Sequence, residues 1–117
     1  MDFEVAFRQW LSAALAVEPP AAVVAFSFNL FEPASRDGGK FGVELIGAAS
    51  FASTNSDWAC NEIWEPSERQ LQIPLAFSGS EWSECLARVK KLIEQELQNP
   101  GAISQRLRSR QAVDVGF

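Results

Sequence analysis

The spacing of hydrophobic residues at the start of the chain is that of a helix. Apolar side chains recur every three or four positions, at Phe3, Phe7, Trp10, Leu11, Ala14 and Leu15. This period places them on one face of an α-helix. Asp2 is suited to the N-cap, and Pro19-Pro20 cannot continue a helix. We therefore predict an amphipathic helix over residues 3–17.

The spacing then changes to period two. Apolar residues alternate with small or polar ones along AVVAFSFNLF (residues 22–31), as is typical of a half-buried strand. The turn-rich PASRDGGK separates this segment from FGVELIG (41–47), and the two segments are predicted to form a hairpin. RQLQIPL (69–75) alternates in the same way, and Pro74 marks the end of a strand or an edge of the sheet.

Helical spacing returns in the second half of the chain. A long apolar stripe is formed by Trp82, Cys85, Leu86, Val89, Leu92, Ile93 and Leu97. A cap near Ser80 and a closing Asn-Pro-Gly bound this predicted helix at residues 80–98. A short helical piece around Ile103 precedes AVDVGF, which would supply the last strand.

This order of elements predicts one α+β domain over residues 1–117, with two long helices covering one face of an antiparallel sheet of about four to five strands. A length of 117 residues, with 47% hydrophobic and 21% charged residues, suits a single globular domain. No apolar run reaches the roughly 18 to 20 residues of a membrane helix. Asp2 and Glu4 stand where a secretory signal would carry basic residues. We therefore expect a cytoplasmic protein with no membrane partner.

The residue types that are missing limit the chemistry. The chain has no histidine, the side chain whose unperturbed pKa suits proton transfer near pH 7. Ser-His-Asp and Cys-His arrangements are therefore impossible. The two cysteines, Cys60 and Cys85, match no metal-ligand spacing, and reduced thiols are favoured over a single disulfide in a cytoplasmic protein. We predict no catalytic residue, no metal and no cofactor.

A glycine-rich stretch offers one superficial motif. DGGKFG (37–42) resembles a phosphate-binding loop, but Phe41 follows Lys40 where such a loop carries serine or threonine. The stretch also precedes a predicted strand instead of a helix. We interpret it as the hairpin turn.

Charge is polarised along the chain, which has a formal net charge of −5. Residues 41–87 hold seven acidic residues and one basic residue, giving −6, whereas residues 88–110 hold six basic and two acidic residues, giving +4. The acidic middle would repel phosphate backbones, which argues against a nucleic-acid partner. The basic residues Arg106, Arg108 and Arg110 are expected to lie at a helix end or to pair with the acidic middle.

The stretch NSDWACNEIWEP (55–66) holds the candidate binding residues. Carboxylates and tryptophans are interleaved there, and we assign a partner-binding surface to Asp57, Trp58, Glu62, Trp64 and Glu65. We expect Trp58 to anchor the stretch in the core while the carboxylates face outward. A solvated acidic face with both tryptophans in the core is the plainer alternative. Tryptophan and isoleucine favour a strand with Trp58, Cys60, Glu62 and Trp64 on one side, and a short helix is the other option. Nearby carboxylates would raise the pKa of the Cys60 thiol and disfavour it as a nucleophile.

Taken in order, several motifs resemble a group of small bacterial immunity proteins associated with polymorphic toxin systems. The matching stretches are FGVELIGAASF (41–51), DWACNEIWEP (57–66), EWSECLARVKKLIEQEL (81–97) and AVDVGF (112–117). The resemblance covers much of the chain after residue 40 and the earlier part only in outline. It implies a protein that binds and silences a co-produced toxin.

The acidic composition agrees with that implication. Many antibacterial toxins are nucleases or nucleic-acid-modifying enzymes with basic clefts, and an acidic inhibitor would be steered towards such a cleft. Two alternatives stay open: a small acidic secretion chaperone that binds an effector segment, and an enzyme that uses carboxylates alone. The chain could act as a monomer or a homodimer.

Overall fold

The computed structural model describes residues 2–33, 40–52, 58 and 61–117. The described part contains four helices and five strands, and the predicted α+β class is confirmed. The elements run in the order α1 (Phe3–Ala14), β1 (Ala25–Phe31), β2 (Phe41–Ala48), β3 (Glu62–Trp64), β4 (Gln70–Ile73), α2 (Leu75–Ser78), α3 (Trp82–Gln98), α4 (Ala102–Arg108) and β5 (Ala112–Gly116).

The sheet is mixed, and the prediction of a purely antiparallel sheet is wrong. Strands β1 and β2 form the predicted antiparallel pair, and β3 and β4 both pair antiparallel with β2 along its other side. The last strand, β5, lies beside β1 and runs parallel to it. Alternation of apolar and polar residues is the same in either direction along a strand, so the pattern could not show which way β5 runs.

Local sequence explains where the long helices begin and end. The Asp2 side chain accepts a hydrogen bond from the Glu4 backbone N–H at 3.3 Å, as its N-cap position predicts. Helix α1 ends at Ala14, earlier than predicted. Helix α3 begins at Trp82, and its N-cap is Glu81, next to the predicted Ser80. No side chain makes a capping hydrogen bond there.

The main core lies between one face of the sheet and helices α1 and α3. Phe28 of β1 is fully buried, and its ring centroid lies 6.2 Å from that of Phe7 and 6.5 Å from that of Trp10. The buried side of α3 adds Cys85, Val89, Leu92 and Ile93 to the same cluster. Burying a phenylalanine of this kind contributes roughly 1.5–3 kcal/mol relative to exposing it.

One residue of the predicted α3 stripe lies outside the core. The Trp82 side chain is 58% exposed, whereas the stripe predicted it to be part of the apolar face. Its ring instead makes an edge contact with Phe117 at 6.0 Å between centroids. Trp82 is the first helical residue, where the helix has only begun to cover the sheet, and this position explains the difference.

The second face of the sheet carries both a small apolar cluster and polar side chains. Ala25, Ile46 and Ala48 are buried there together with Trp58. Further along the same strands, Ser27 and Asn29 of β1 lie on this face. Because residues paired across strands share a face, Glu44 and Gln70, which are in register with Asn29, also lie on it.

Within the described ranges, no helix has the length and apolar character needed to cross a membrane.

Candidate functional site

Arg69 is at the centre of a group of carboxylates on the second face. It immediately precedes β4, and its backbone carbonyl accepts a hydrogen bond from the Leu45 N–H of β2 at 3.1 Å. This bond fixes the backbone of Arg69 beside β2. Its side chain is therefore placed to reach carboxylates on both β2 and β3.

Three glutamates bind the Arg69 guanidinium, and we call Arg69, Glu44, Glu62 and Glu65 the Arg69 cluster. Nε donates to Glu44 Oε2 at 3.0 Å, and Nη1 donates to Glu65 Oε2 at 2.6 Å. Glu62 is bound through both of its oxygens, with Nη2 donating to Oε1 at 2.8 Å and Nη1 donating to Oε2. Such two-point contacts fix the carboxylate orientation, because the planar guanidinium matches its geometry.

A hydrogen-bond chain joins this cluster to β1. Asn29 Nδ2 donates to Glu44 Oε1 at 3.4 Å, and the buried Ser27 hydroxyl donates to Asn29 Oδ1 at 2.7 Å. Burial alone would raise the pKa of the Glu44 carboxyl. The hydrogen bond and charge of Arg69, with hydrogen bonds from Asn29 and Gln70, outweigh that effect and hold the pKa of Glu44 below its ordinary value.

Arg69 remains charged under all ordinary conditions. Hydrogen bonds first to Glu62, then to Glu44 and Glu65, raise the pKa of its guanidinium above the usual value. Arg69 therefore cannot exchange a proton with a substrate. The cluster has three carboxylates against one guanidinium, a formal charge of −2.

The structure places the predicted binding residues in different surroundings. Glu62 and Glu65 are exposed and share Arg69 as a partner. Asp57 and Cys60 lie outside the described residues. The two tryptophans, Trp58 and Trp64, lie against opposite faces of the sheet.

Trp58 belongs to the small cluster on the second face. Its side chain is 8% exposed, and its ring meets that of Phe51 edge-on at 5.2 Å between centroids. The Trp58 backbone carbonyl accepts a hydrogen bond from the Asn61 N–H at 3.1 Å. The expectation that Trp58 anchors this stretch by burial agrees with these contacts.

Trp64 is half-buried against the main core. Its ring meets Phe26 edge-on at 5.9 Å between centroids. A Cβ on Gly47 would lie 2.8 Å from Val23 Cγ1 and 3.1 Å from Trp64 Cε3, so the indole depends on the absence of a side chain at Gly47.

The prediction that Trp58, Cys60, Glu62 and Trp64 share one side of a strand is wrong for the described members. The strand covers only Glu62–Trp64. A register shift separates the pair of Trp64 with Gly47 from the pair of Glu62 with Ala48. This irregularity places the Trp64 ring against the core and the Glu62 carboxylate against Arg69.

Among residues 2–33, 40–52, 58 and 61–117, no group of three or more Asp, Glu, Cys or His side chains has an arrangement that could hold a metal ion. Cys85 is a free thiol in the core, and burial raises its pKa to about 11. The cluster can therefore act through fixed charge and hydrogen bonding.

Sequence reasoning did not identify the central residue of the cluster. Arg69 is the single basic residue among residues 41–87, and no local pattern assigns a role to Glu44 or Asn29. The isolation of one arginine among seven acids was the available signal. It could not show which acids would bind it, because β2 and β3 meet only in the folded sheet.

The basic residues near the end of the chain bind backbone carbonyls. Arg108 Nε donates to Leu97 O, near the end of α3, at 2.6 Å, which agrees with the predicted position at a helix end. Arg110 donates to Pro19 O and to Val23 O, each at 3.0 Å. These contacts join the last strand to the segment between α1 and β1.

Comparisons with protein families, with curated proteins and with solved structures found no match to this chain. The function is therefore argued from the geometry of its own residues.

Proposed function

We propose that this chain is an immunity-type inhibitor, which binds a basic toxin domain made in the same cell and blocks its active site with an acidic surface. The observation that carries the proposal is the Arg69 cluster, in which one guanidinium holds three exposed or part-exposed glutamates in fixed positions. The resemblance of motifs after residue 40 to immunity proteins points to the same class of function.

Fixed carboxylates suit an inhibitor better than mobile ones. Ordering a rotamer-rich side chain on binding costs about 0.5–1.5 kcal/mol. Glu62 and Glu65 are already ordered by Arg69 before any partner arrives. Their formal charge would attract lysine and arginine side chains that normally bind phosphate in a nuclease cleft.

The neighbouring residues supply the remaining features of an interface. Ile63, between the two glutamate positions in sequence, is 44% exposed and would provide apolar contact beside the charges. Trp58 on the same face of the sheet and Trp64 on the opposite face would support this surface, because both rings pack against the strands that carry it. We therefore assign direct binding to Glu62 and Glu65, and a supporting role to the two tryptophans.

The test is the rate of association with the product of the adjacent gene. We expect Glu62→Gln with Glu65→Gln to slow association by at least about fivefold at low salt, since electrostatic steering acts mainly on this rate. Added salt should reduce the difference by screening. Glutamine preserves the size of the side chain, keeps one acceptor oxygen for Arg69 and avoids placing a new cation beside it.

The matched control neutralises two exposed glutamates elsewhere. Glu18→Gln with Glu94→Gln changes the net charge by the same amount away from the cluster. Equal association rates for the two double variants would overturn the assigned surface. Binding of an unfolded effector segment instead of a folded toxin domain would favour the secretion-chaperone alternative.

A further inference from the structure

Strand β5 forms an edge of the sheet, on the side opposite the Arg69 cluster. It pairs with β1 through an unbroken register from Ala112 with Ala25 to Gly116 with Asn29. No other described strand pairs with it. One side of β5 therefore offers backbone donors and acceptors that the described sheet does not use.

Hydrogen bonding along β2 shows which amides of β5 point outwards. Leu45 donates its N–H to Arg69 O, on the side of β2 away from β1. Because backbone groups alternate in direction along a strand, those of Phe26 and Phe28 in β1 point towards β5, where the observed register brings them to the backbone groups of Ala112, Asp114 and Gly116. The N–H and C=O groups of Val113 and Val115 consequently point away from the sheet.

The two edges of the sheet differ in how they are protected. The edge formed by β3 and β4 is broken into strands of three and four residues, carries a register shift and is followed by Pro74. Such breaks, prolines and charges are common protections against strand addition. Strand β5 contains no proline and no lysine, and its single charge is Asp114.

Exposed aromatic rings continue the β5 edge at its end. Val113 and Val115 pack against the main core, and Phe117 is the next alternate position after them. Phe117 is 53% exposed and contacts both Trp82 and Phe41, at 6.0 and 5.6 Å between ring centroids. An added strand would therefore meet apolar surface on its helix-facing side and Asp114 on the other.

We propose that the β5 edge binds an extended segment of a partner protein by strand addition. The segment would carry apolar residues at alternate positions and a basic residue opposite Asp114. A second copy of this chain fits less well, because each copy has a net charge of −5 and self-pairing centred on Asp114 would place two carboxylates opposite each other. The proposal goes beyond the proposed function, since it concerns the opposite edge and needs no toxin for its test.

The probe is a fluorescein-labelled peptide of sequence KTVTVKVTVTK, whose central lysine would lie opposite Asp114. We expect saturable binding by fluorescence anisotropy. Amide chemical-shift changes in the ¹⁵N-labelled protein should be concentrated at residues 112–117. The peptide KTVTVEVTVTK should bind more weakly to the wild type, and Asp114→Lys should reverse that preference.

Val115 provides a matched pair of variants. Its N–H points away from β1, so a proline there leaves the hydrogen bonds between β1 and β5 in place. Val115→Pro removes an outward N–H and should weaken binding at least tenfold, whereas Val115→Ala keeps the N–H and should change it by about threefold at most. Thermal melting would check that both variants fold.

Three results would overturn the proposal. One is equal binding by the proline and alanine variants, and another is a set of shift changes centred on β3 and β4. The third is a wild-type dimer in sedimentation equilibrium that Val115→Pro dissociates, since a second copy would then occupy the edge.

Discussion

Replacing Arg69 with methionine should destabilise the fold more than an ordinary surface ion pair would suggest. Methionine keeps an unbranched stem of similar shape and removes the guanidinium. The three partner side chains differ in exposure, at 19% for Glu44, 32% for Glu62 and 53% for Glu65. Exposed pairs contribute about 0–1 kcal/mol each, and a hydrogen bond to a less exposed charge contributes about 1.5–3 kcal/mol. We expect a loss of about 2–3 kcal/mol at pH 7, because the freed carboxylates can turn towards solvent.

The effect should depend on pH, with a sign set by Glu44. Its pKa is lowered in the folded protein, so its contribution to stability is present above the ordinary glutamate pKa. The contribution is lost as the pH falls through the lower folded value. Urea unfolding at pH 7 and at pH 3 should therefore show a smaller difference between Arg69→Met and wild type at the lower pH.

Arg88→Met is the matched control for this experiment. Arg88 faces Glu84 across one helical turn at 3.7 Å and donates to the exposed Phe77 carbonyl at 2.8 Å, and both charged side chains are about half exposed. Its replacement should cost no more than about 1 kcal/mol. Equal losses for the two arginine variants, or a loss at Arg69 that does not change with pH, would refute the claim that Arg69 organises this face.

Phe28→Ala should lower the free energy of unfolding by about 3–5 kcal/mol in urea denaturation, because removal of its fully buried ring leaves a cavity. The control is Val17→Ala, at a side chain that is 80% exposed, which should change the free energy of unfolding by less than about 0.5 kcal/mol. Similar losses for the two variants would show that the core was misassigned. The Cys85 thiol, whose pKa burial raises to about 11, should resist alkylation in native protein at pH 7 and react after unfolding. Fast labelling of the folded protein would contradict its burial. Arg110→Met should lower the free energy of unfolding by about 1–3 kcal/mol, because the Pro19 and Val23 carbonyls lose their hydrogen-bond donor. A thermal melt unchanged from wild type would exclude a stabilising role for Arg110.

The α+β class and the residues of the long elements could be read from the chain. Period-two alternation located β1 and β4, the hairpin assignment located β2, and helical spacing located α1 and α3; AVDVGF was expected to supply the last strand, and it forms β5. These signals are local, because a strand or helix that buries one face repeats its apolar residues at the period of its own backbone. The exposed position of Trp82 was missed, since a periodic stripe does not show how far along the helix the sheet extends.

The candidate site could be predicted only in part. An acidic stretch with tryptophans was visible between residues 55 and 66, and burial of Trp58 was expected. The pairing of Glu44 with Arg69 was not visible, because 24 residues of chain lie between them. Their contact exists only because β4 pairs with β2 in a register that places Glu44 opposite Gln70.

The sequence by itself therefore determined which segments form helices and strands, which of their sides are apolar, and where charge accumulates along the chain. Tertiary structure decided that β5 runs parallel to β1, that the register shift separates Glu62 from Trp64, and that one arginine holds three glutamates. The physical reason is the range of the interactions. Periodicity and capping act between residues a few positions apart, whereas strand direction, register and ion pairing depend on which distant segments the common core brings together.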